Sequence, residues 1–445
     1  MQSTPAPPTA APPPPPPPPS APYQVLLARE TGAALGRLAG QGRTANRLRG
    51  LQAATVVAAI LFALLGSLGL ARRDAAIDDV RQASSQLIAV QNIRVSLVQA
   101  DSIATSSYLA GGQEDPAKRT EYLAAIGRAT DQLVDVSNGV DSADAARLAE
   151  ASELLGGYVG LVEQARANNR QGFPVGAAYQ RQANAVVTND SPEQADIVTL
   201  LREVEQSQRA TINERLDDAH RAGAWFDVAG WTLLGMLLVG LLWLARRFKR
   251  LVNIPIAVAG VLLAIVVLAG TSRQGSSMSD ADEAVGTLQT ADLATQSRAA
   301  GFDARSQEAL ALINRGNGQA NEARWLIAQA TAAQSLDRCR VCEPSAIAFG
   351  RYSDAHERLR DADDSGDWEG AVAMTLGNQG GLVDDFDAFA DATESVSDDN
   401  AARADERLSD ARSGLGMLRI LTIAAGLIVA VLVAIGYGQR LREYR

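Results

Sequence analysis

Residues 51–70 read LQAATVVAAILFALLGSLGL and contain no charged side chain. A helix needs roughly 20 apolar residues to cross the hydrocarbon core of a bilayer, so this stretch predicts a membrane span. Uncharged stretches of similar length follow at 228–245, 251–270 and 420–437. The sequence therefore predicts an all-α membrane protein that crosses the lipid bilayer four times.

The distribution of Lys and Arg indicates how the spans are oriented. The residues before the first span, between the second and third, and after the fourth contain twelve Lys and Arg against two acidic residues. Cytoplasmic segments carry such an excess, so we expect both termini in the cytoplasm and two large extracytoplasmic segments at the plasma membrane. Arg72 and Arg73 follow the first span and run against this rule. The long stretch before that span favours an uncleaved anchor over a cleaved signal peptide.

A proline tract at the start of the chain and the four spans set the predicted divisions. The tract is expected to be an extended spacer. A ligand for a proline-binding domain is the alternative, although no basic residue flanks the tract to orient it. The divisions are a proline-rich cytoplasmic tail (1–22), a basic cytoplasmic helix (23–50), transmembrane 1 (51–70), helical bundle 1 (71–227), transmembrane 2 (228–245), a cytoplasmic loop (246–250), transmembrane 3 (251–270), helical bundle 2 (271–419), transmembrane 4 (420–437) and a cytoplasmic tail (438–445).

The two long segments have the periodicity of amphipathic helices. Apolar residues recur at spacings of three, four and seven from Ile77 to Ala104, and again from Ile197 to Ala219. We expect about four or five helices in each segment, with the first and last continuous with membrane spans. Turn-forming residues mark the expected breaks of the first segment at Gly111-Gly112, Asn138-Gly139, Gly172-Phe173-Pro174 and Asn189-Asp190-Ser191-Pro192.

The two segments also resemble each other in sequence. A block at 214–219 matches a block at 406–411 close to the following span. Together with the repeat of the hydropathy pattern, the matches predict duplication of a span–bundle–span unit. Chance similarity between two helices rich in Ala, Arg and Asp is the alternative. Further identities at a constant offset of 194 join Tyr158, Glu163, Arg166, Gly172, Gly176 and Ala177 to Tyr352, Glu357, Arg360, Gly366, Gly370 and Ala371.

The side chains that carry most enzyme chemistry are scarce. His220 and His356 are the two histidines, and no phosphate-binding loop, nucleophile elbow or zinc-protease motif occurs. Acidic clusters at 361–364, 384–385 and 398–399 lack the alternating ligands and central glycine of a calcium loop, so we expect solvated helix faces or turns there. The sequence predicts a non-enzymatic protein without a cofactor, a metal site or a nucleic-acid partner.

Cys339 and Cys342 form the one local motif with chemistry of its own. A thioredoxin-like redox pair needs a strand-to-helix setting, which these helical surroundings do not supply. A zinc site needs two more ligands, and His356 is the one candidate close in sequence. On the oxidising side of a membrane, a local disulfide between Cys339 and Cys342 is favoured.

The layout from Leu51 to Arg445, with four spans, tandem helical outer segments, little cytoplasmic chain and an Ala- and Arg-rich composition, resembles the actinobacterial GlnX proteins. These are membrane partners of an extracytoplasmic binding protein for acidic amino acids and of the soluble serine/threonine protein kinase G. The resemblance implies a sensor that responds to a solute-binding lipoprotein outside and influences a protein kinase inside. It contains no diagnostic motif and assigns no functional residue.

Two other classes of protein remain open at this stage. A scaffold of the cell envelope suits the same charge distribution, and would bind its partners whether or not a solute is present. A transporter would place polar groups in its spans, where the few polar side chains, such as Asn253 and Thr422, occur near the ends. The second span contains three glycines that permit close contact between helices and therefore a homodimer. They are Gly230, Gly235 and Gly240. The arginines able to receive a carboxylate are Arg94, Arg119 and Arg128, although solvated arginines are common.

Overall fold

The computed structural model describes residues 46–111, 114–172, 174–189, 194–248, 253–377 and 381–442. The regular structure of these residues is entirely helical. The predicted proline-rich tail and most of the basic helix lie outside the described residues. Residues 249–250 of the predicted 246–250 loop also lie outside them, whereas residues 246–248 are helical and not part of a loop. The helices are α1 (Asn46–Leu109, with a π-helical turn at Phe62–Gly66), α2 (Pro116–Ser137), α3 (Ser142–Arg170), α4 (Val175–Val187), α5 (Ile197–Phe248), α6 (Ile254–Ile313), α7 (Gln319–Arg338), α8 (Glu343–Asp364), α9 (Trp368–Leu376), α10 (Leu382–Arg412) and α11 (Leu415–Arg442).

Four of these stretches are long and apolar enough to cross a membrane, and they overlap the four predicted spans, the third starting at Ile254 and not at residue 251. Most of the large apolar side chains that are exposed in the described residues lie in these stretches, for example Leu64, Val239, Val261 and Val431. Exposure of such side chains to water would be costly, whereas lipid accepts them. The chain is a multi-pass membrane protein.

The helices of the first segment end where turn-forming residues predict. Helix α1 stops before Gly111, α2 before Asn138, α3 before Gly172 and α4 before Asn189. Gly111 and Gly172 have φ values of 67° and 72°, in the left-handed region that a glycine enters without a steric penalty. Helices α1, α5 and α6 each run without a break between a predicted span and a long segment, as expected.

The prediction of an unbroken helix into the fourth span is wrong. Helix α10 ends at Arg412 and α11 begins at Leu415. Gly414 between them has a φ of 77°, which an α-helix cannot contain. The Arg273 guanidinium of α6 donates to the carbonyl oxygens of Asp410, at 2.7 Å, and of Ser413. The Asp410 carbonyl also accepts from the Ser413 backbone N–H at 3.0 Å, and Arg273 adds a charged donor at this helix end, so Arg273 stabilises the break.

The chain divides into two compact units. One contains the described residues up to Ala63 together with Trp231–Ala264 and Ala424–Arg445, and the other contains Leu64–Gly230 and Ile265–Ile423. The second unit therefore holds both long segments, here called the first segment (71–227) and the second segment (271–419). A single hydrophobic core includes Tyr122 and Tyr158 of the first segment and Tyr352 and Phe389 of the second. The two segments thus fold together in one unit.

Small residues bring helices together within the unit that contains the spans. A Cβ atom on Gly426 of α11 would lie 2.7 Å from that of Ala63 on α1. A Cβ atom on Gly240 of α5 would collide with the Tyr437 hydroxyl of α11, so this glycine serves contacts inside one chain. Gly235 has no neighbour of this kind among the described residues.

The helices of the two segments follow one another in the same order. Each segment consists of a long span-bearing helix, two helices of intermediate length, a short helix and another long helix. Tyr158 on α3 and Tyr352 on α8 are both fully buried. Gly172 and Gly366 both have a positive φ. These similarities are compatible with duplication, which stays a prediction.

Candidate functional site

The two segments meet through a group of buried polar side chains centred on Asp101 of α1, here called the polar seam. Asn184 of α4 and Ser306 of α6 donate hydrogen bonds to Asp101 Oδ2, over 2.7 and 2.5 Å. Asp101 is 2% exposed, and its Oδ1 atom has no hydrogen-bond partner among the described residues. Burial raises the pKa of Asp101 to about 6, against the lowering effect of the two hydrogen bonds. This carboxyl group therefore titrates close to neutral pH.

Neutral polar groups extend the polar seam along α1, α4, α6 and α7. Gln180 of α4 donates to Thr105 Oγ1 of α1 at 3.0 Å. Asn321 of α7 donates to Gln307 Oε1 of α6 at 2.9 Å, and Gln307 lies 3.4 Å from Asn184 Oδ1. When one partner of a buried hydrogen bond moves away, the other partner is left unbonded and out of contact with water, which costs free energy. Buried polar groups therefore tolerate little displacement. The seam therefore holds the two segments in one specific alignment.

A buried ionic cluster joins α1 and α6 to α5. Arg94 of α1 donates to Glu205 of α5 over 2.7 Å, and these side chains are 7% and 2% exposed. Arg209 of α5 contacts Glu205 at 3.1 Å and Asp292 of α6 at 2.6 Å. Gln91 of α1 also donates to Asp292. Charged groups thus connect α1, α5 and α6, the three helices that run unbroken into predicted spans.

His356 of α8 lies in a second buried cluster, within the second segment. Its ring stacks on Trp325 at a centroid distance of 3.6 Å. Its Nδ1 atom is 2.9 Å from Glu308, and its Nε2 atom is 3.3 Å from Glu322. Burial alone lowers the pKa of His356, but the hydrogen bonds and charges of Glu308 and Glu322 outweigh burial and raise the pKa. Arg360 also contacts Glu322, at 3.4 Å.

The three arginines singled out from the sequence have partners within the protein. Arg94 binds Glu205 as described, and Arg119 contacts Glu163 at 2.7 Å. Arg128 donates to the side chain of Gln99. The guanidinium groups of these arginines therefore already have acidic or amide partners within the protein. The seam residues Asp101, Asn184 and Ser306 were not singled out, because no spacing pattern joins residues so far apart in the chain.

The two arginines after the first span differ in environment. Arg73 is 5% exposed and donates to the carbonyl oxygens of Ala219 and Gln274, both at 3.1 Å. Arg72 is exposed. Arg73 thus links α1 to α5 and α6 within one unit, a structural reason for a basic residue on this flank.

Cys339 and Cys342 form a disulfide in the turn between α7 and α8, with a Cα–Cα distance of 5.3 Å. Both residues are buried, and the next helix begins directly after Cys342. The described residues contain no group of three potential ligands that could hold a metal ion. His220 is exposed and lies 3.3 Å from Asp282.

Comparison with known proteins gives one match. Residues 76–217 match a family model described as the actinobacterial sensor domain. No curated protein and no solved structure matches the chain. The matched range starts in α1 and ends in α5, so it includes Asp101, Asn184, Arg94 and Glu205. The match supports a sensor protein of actinobacteria, and over its first segment the chain is similar to actinobacterial sensor domains.

Proposed function

We propose that the protein is a non-enzymatic transmembrane sensor that relays a signal between partner proteins on the two sides of the plasma membrane. The observation that carries this proposal is the polar seam, in which Asp101 of α1 binds Ser306 of α6. Each of these helices contains a predicted span as well as part of the seam. A partner that changes the alignment of the segments would therefore act directly on helices that enter the membrane.

The expected signal is a small movement of packed helices. Packed helices shift by about 1–2 Å between two states of a switching protein. Any such shift would break hydrogen bonds of the polar seam, so a second alignment would have to form a different set of them. Arg94, Glu205 and Arg209 would transmit the same shift to α5.

The proposed partners follow from the resemblance to the GlnX proteins. Outside, the partner is an extracytoplasmic solute-binding lipoprotein for glutamate or aspartate. Inside, the partner that this resemblance implies is a serine/threonine protein kinase. The orientation, with both termini in the cytoplasm, is supported by the distribution of Lys and Arg. We also infer that the two segments arose by duplication, supported by their common order of helices.

The test is a pull-down of the detergent-solubilised full chain, with and without added glutamate and aspartate, followed by mass spectrometry. Recovery of a solute-binding lipoprotein that changes with the amino acid supports the relay. The variant Asp101→Asn should abolish the change, while the exposed Asp131→Asn on α2, with the same change of charge, should retain it.

A scaffold of the cell envelope is the second candidate. The acidic excess of the predicted outer segments favours it equally, since a scaffold needs only a stable binding surface. Constant recovery of cell-wall or division proteins, indifferent to glutamate and aspartate, would contradict the relay and favour the scaffold. A homodimer in either case would be detected by pull-down between two differently tagged copies.

A further inference from the structure

A cavity of about 420 Å³ opens between α1, α5, α6 and α7, beside the buried ionic cluster. Pockets that hold small molecules generally span 300–1,000 Å³. Its wall combines apolar side chains such as Val98 and Ile327 with the amides of Gln206 and Gln296 and with five charged side chains. The cavity lies within the unit that contains both segments. It has the size and mixed lining of a site for a small polar solute.

The positively and negatively charged side chains in the wall of this cavity do not all form pairs. Three are the guanidinium groups of Arg94, Arg202 and Arg209, and two are the carboxylates of Glu205 and Asp303. Glu205 binds both Arg94 and Arg209. Arg202 has no hydrogen bond or ion pair with any residue that the structure describes. One positive charge in the wall is thus left without a direct partner.

The surroundings of Arg202 make that charge costly. Arg202 is an exposed residue by its accessible surface, yet enough protein surrounds its guanidinium for desolvation to lower its pKa. Repulsion by Arg94 lowers the pKa further, and Asp196, Asp303 and Glu205 compensate only in part. An anion beside Arg202 would offset both penalties through its opposite charge.

We propose that this cavity binds a small organic anion whose carboxylate is held by Arg202. A planar guanidinium binds a carboxylate through two parallel hydrogen bonds, and Gln206 and Gln296 can bind the remaining polar atoms. Arg94 and Arg209 already have Glu205 and Asp292 as ion-pair partners, so Arg202 favours a ligand that brings one carboxylate and a net charge near −1. A dianion such as phosphate would be repelled by Glu205 and Asp303. Acidic amino acids and simple monocarboxylates meet this requirement.

Such a ligand would contact both segments at once. Arg202 lies on α5 of the first segment, and Gln296 on α6 of the second, and both helices run unbroken into predicted spans. This inference concerns a ligand bound by the chain itself and needs neither the proposed lipoprotein nor the proposed kinase. Failure of one proposal therefore leaves the other standing.

The experiment is isothermal titration calorimetry on the purified full chain in detergent, with L-glutamate, acetate and phosphate as probes. We expect saturable binding of L-glutamate or acetate, and at least about 10-fold weaker binding by Arg202→Gln, because a hydrogen bond to a charged group is lost. Arg202→Lys should recover part of the affinity. The matched control is Arg221→Gln on the same helix, at a guanidinium outside the cavity, which should bind as the natural chain does.

Melting temperature without ligand separates binding from folding. Because Arg202→Gln breaks no described ion pair and removes a charge that desolvation and Arg94 disfavour, the variant should melt at a temperature no lower than that of the natural chain. Three results would overturn the proposal: no binding of either carboxylate, equal binding by Arg202→Gln, or tighter binding of phosphate than of the carboxylates.

Discussion

The Arg94 guanidinium of α1 and the Glu205 carboxylate of α5 form an ion pair of 2.7 Å in which both side chains are almost completely buried. Removing one partner of such a pair leaves an uncompensated charge away from water. We therefore expect Glu205→Ala to lower the free energy of unfolding by about 3–5 kcal/mol, measured by tryptophan fluorescence during unfolding of the solubilised full chain.

An exposed ion pair provides the comparison for Glu205. Arg81 and Asp405 lie 2.6 Å apart, with side chains 41% and 53% exposed. Exposed pairs contribute about 0–1 kcal/mol, so Arg81→Ala should have little effect. Equal effects of Glu205→Ala and Arg81→Ala would contradict the structural importance of the buried cluster.

Asp101 makes stability depend on pH below neutrality. Its pKa is about 6 in the folded chain against an ordinary value of 3.8. Between these values the folded state binds the proton that the unfolded state has released, so the free energy of unfolding falls as pH rises from about 4 to 6. The shift corresponds to a contribution on the order of 3 kcal/mol.

The variant Asp101→Asn should flatten this dependence, since an amide does not titrate. Melting temperatures measured at intervals from pH 4 to 7 provide the test, with exposed Asp131→Asn as the control that keeps the natural slope. An unchanged slope in Asp101→Asn would show that Asp101 keeps an ordinary pKa.

His356 should produce a second dependence, at higher pH. Because Glu308 and Glu322 raise its pKa in the folded state, its contribution to stability is fully present below the ordinary value of 6.5. That contribution is lost as pH rises through the folded pKa. His356→Gln should remove the loss above pH 6.5 and lower stability at acidic pH. His220→Gln, at an exposed histidine, should melt like the natural chain at each pH. Identical profiles for the two variants would count against the role of His356.

The break between α10 and α11 should depend on Gly414. Its φ of 77° costs about 1–2 kcal/mol in a residue with a Cβ atom. Gly414→Ala is therefore expected to lower the free energy of unfolding by that amount. Gly416, two residues further on and helical, has open space around it, so Gly416→Ala should be neutral or slightly stabilising. A neutral Gly414→Ala would indicate that the helix can run through this position.

Replacing both Cys339 and Cys342 by Ser should have a moderate effect. A disulfide that closes so short a loop contributes about 2 kcal/mol in the chain-entropy model. We expect the double variant to fold, with a lower melting temperature. Complete loss of folded protein would show that the disulfide stabilises far more than one turn.

The helices and spans could be predicted because their causes are local. Uncharged stretches set the spans, and glycine or proline near Gly111 and Gly172 sets the helix ends. Ser413-Gly414 is also a turn signal, but the apolar stretch after it favours a continuous helix.

The polar seam could not be predicted from spacing. Asp101 and Ser306 are separated by 205 positions, and only the packing of both segments in one unit brings them together. The sequence offered Arg94 as an arginine able to receive a carboxylate, whereas the packing gives it Glu205 and leaves Arg202 without a hydrogen bond or ion pair among the described residues. The spacing pattern of a helix does not distinguish an arginine that lines a cavity from one that forms an ion pair.

The joint at Ser413-Gly414 makes the four span-bearing stretches mechanically unequal. A continuous ladder of helical hydrogen bonds resists twisting, so α1, α5 and α6 can carry torque along their axes. The left-handed glycine interrupts that ladder before α11, and Arg273 holds the end of α10 in place. Rotation of α10 about its own axis is therefore not transmitted to α11. A translation or tilt of α10 can still displace α11 through the joint.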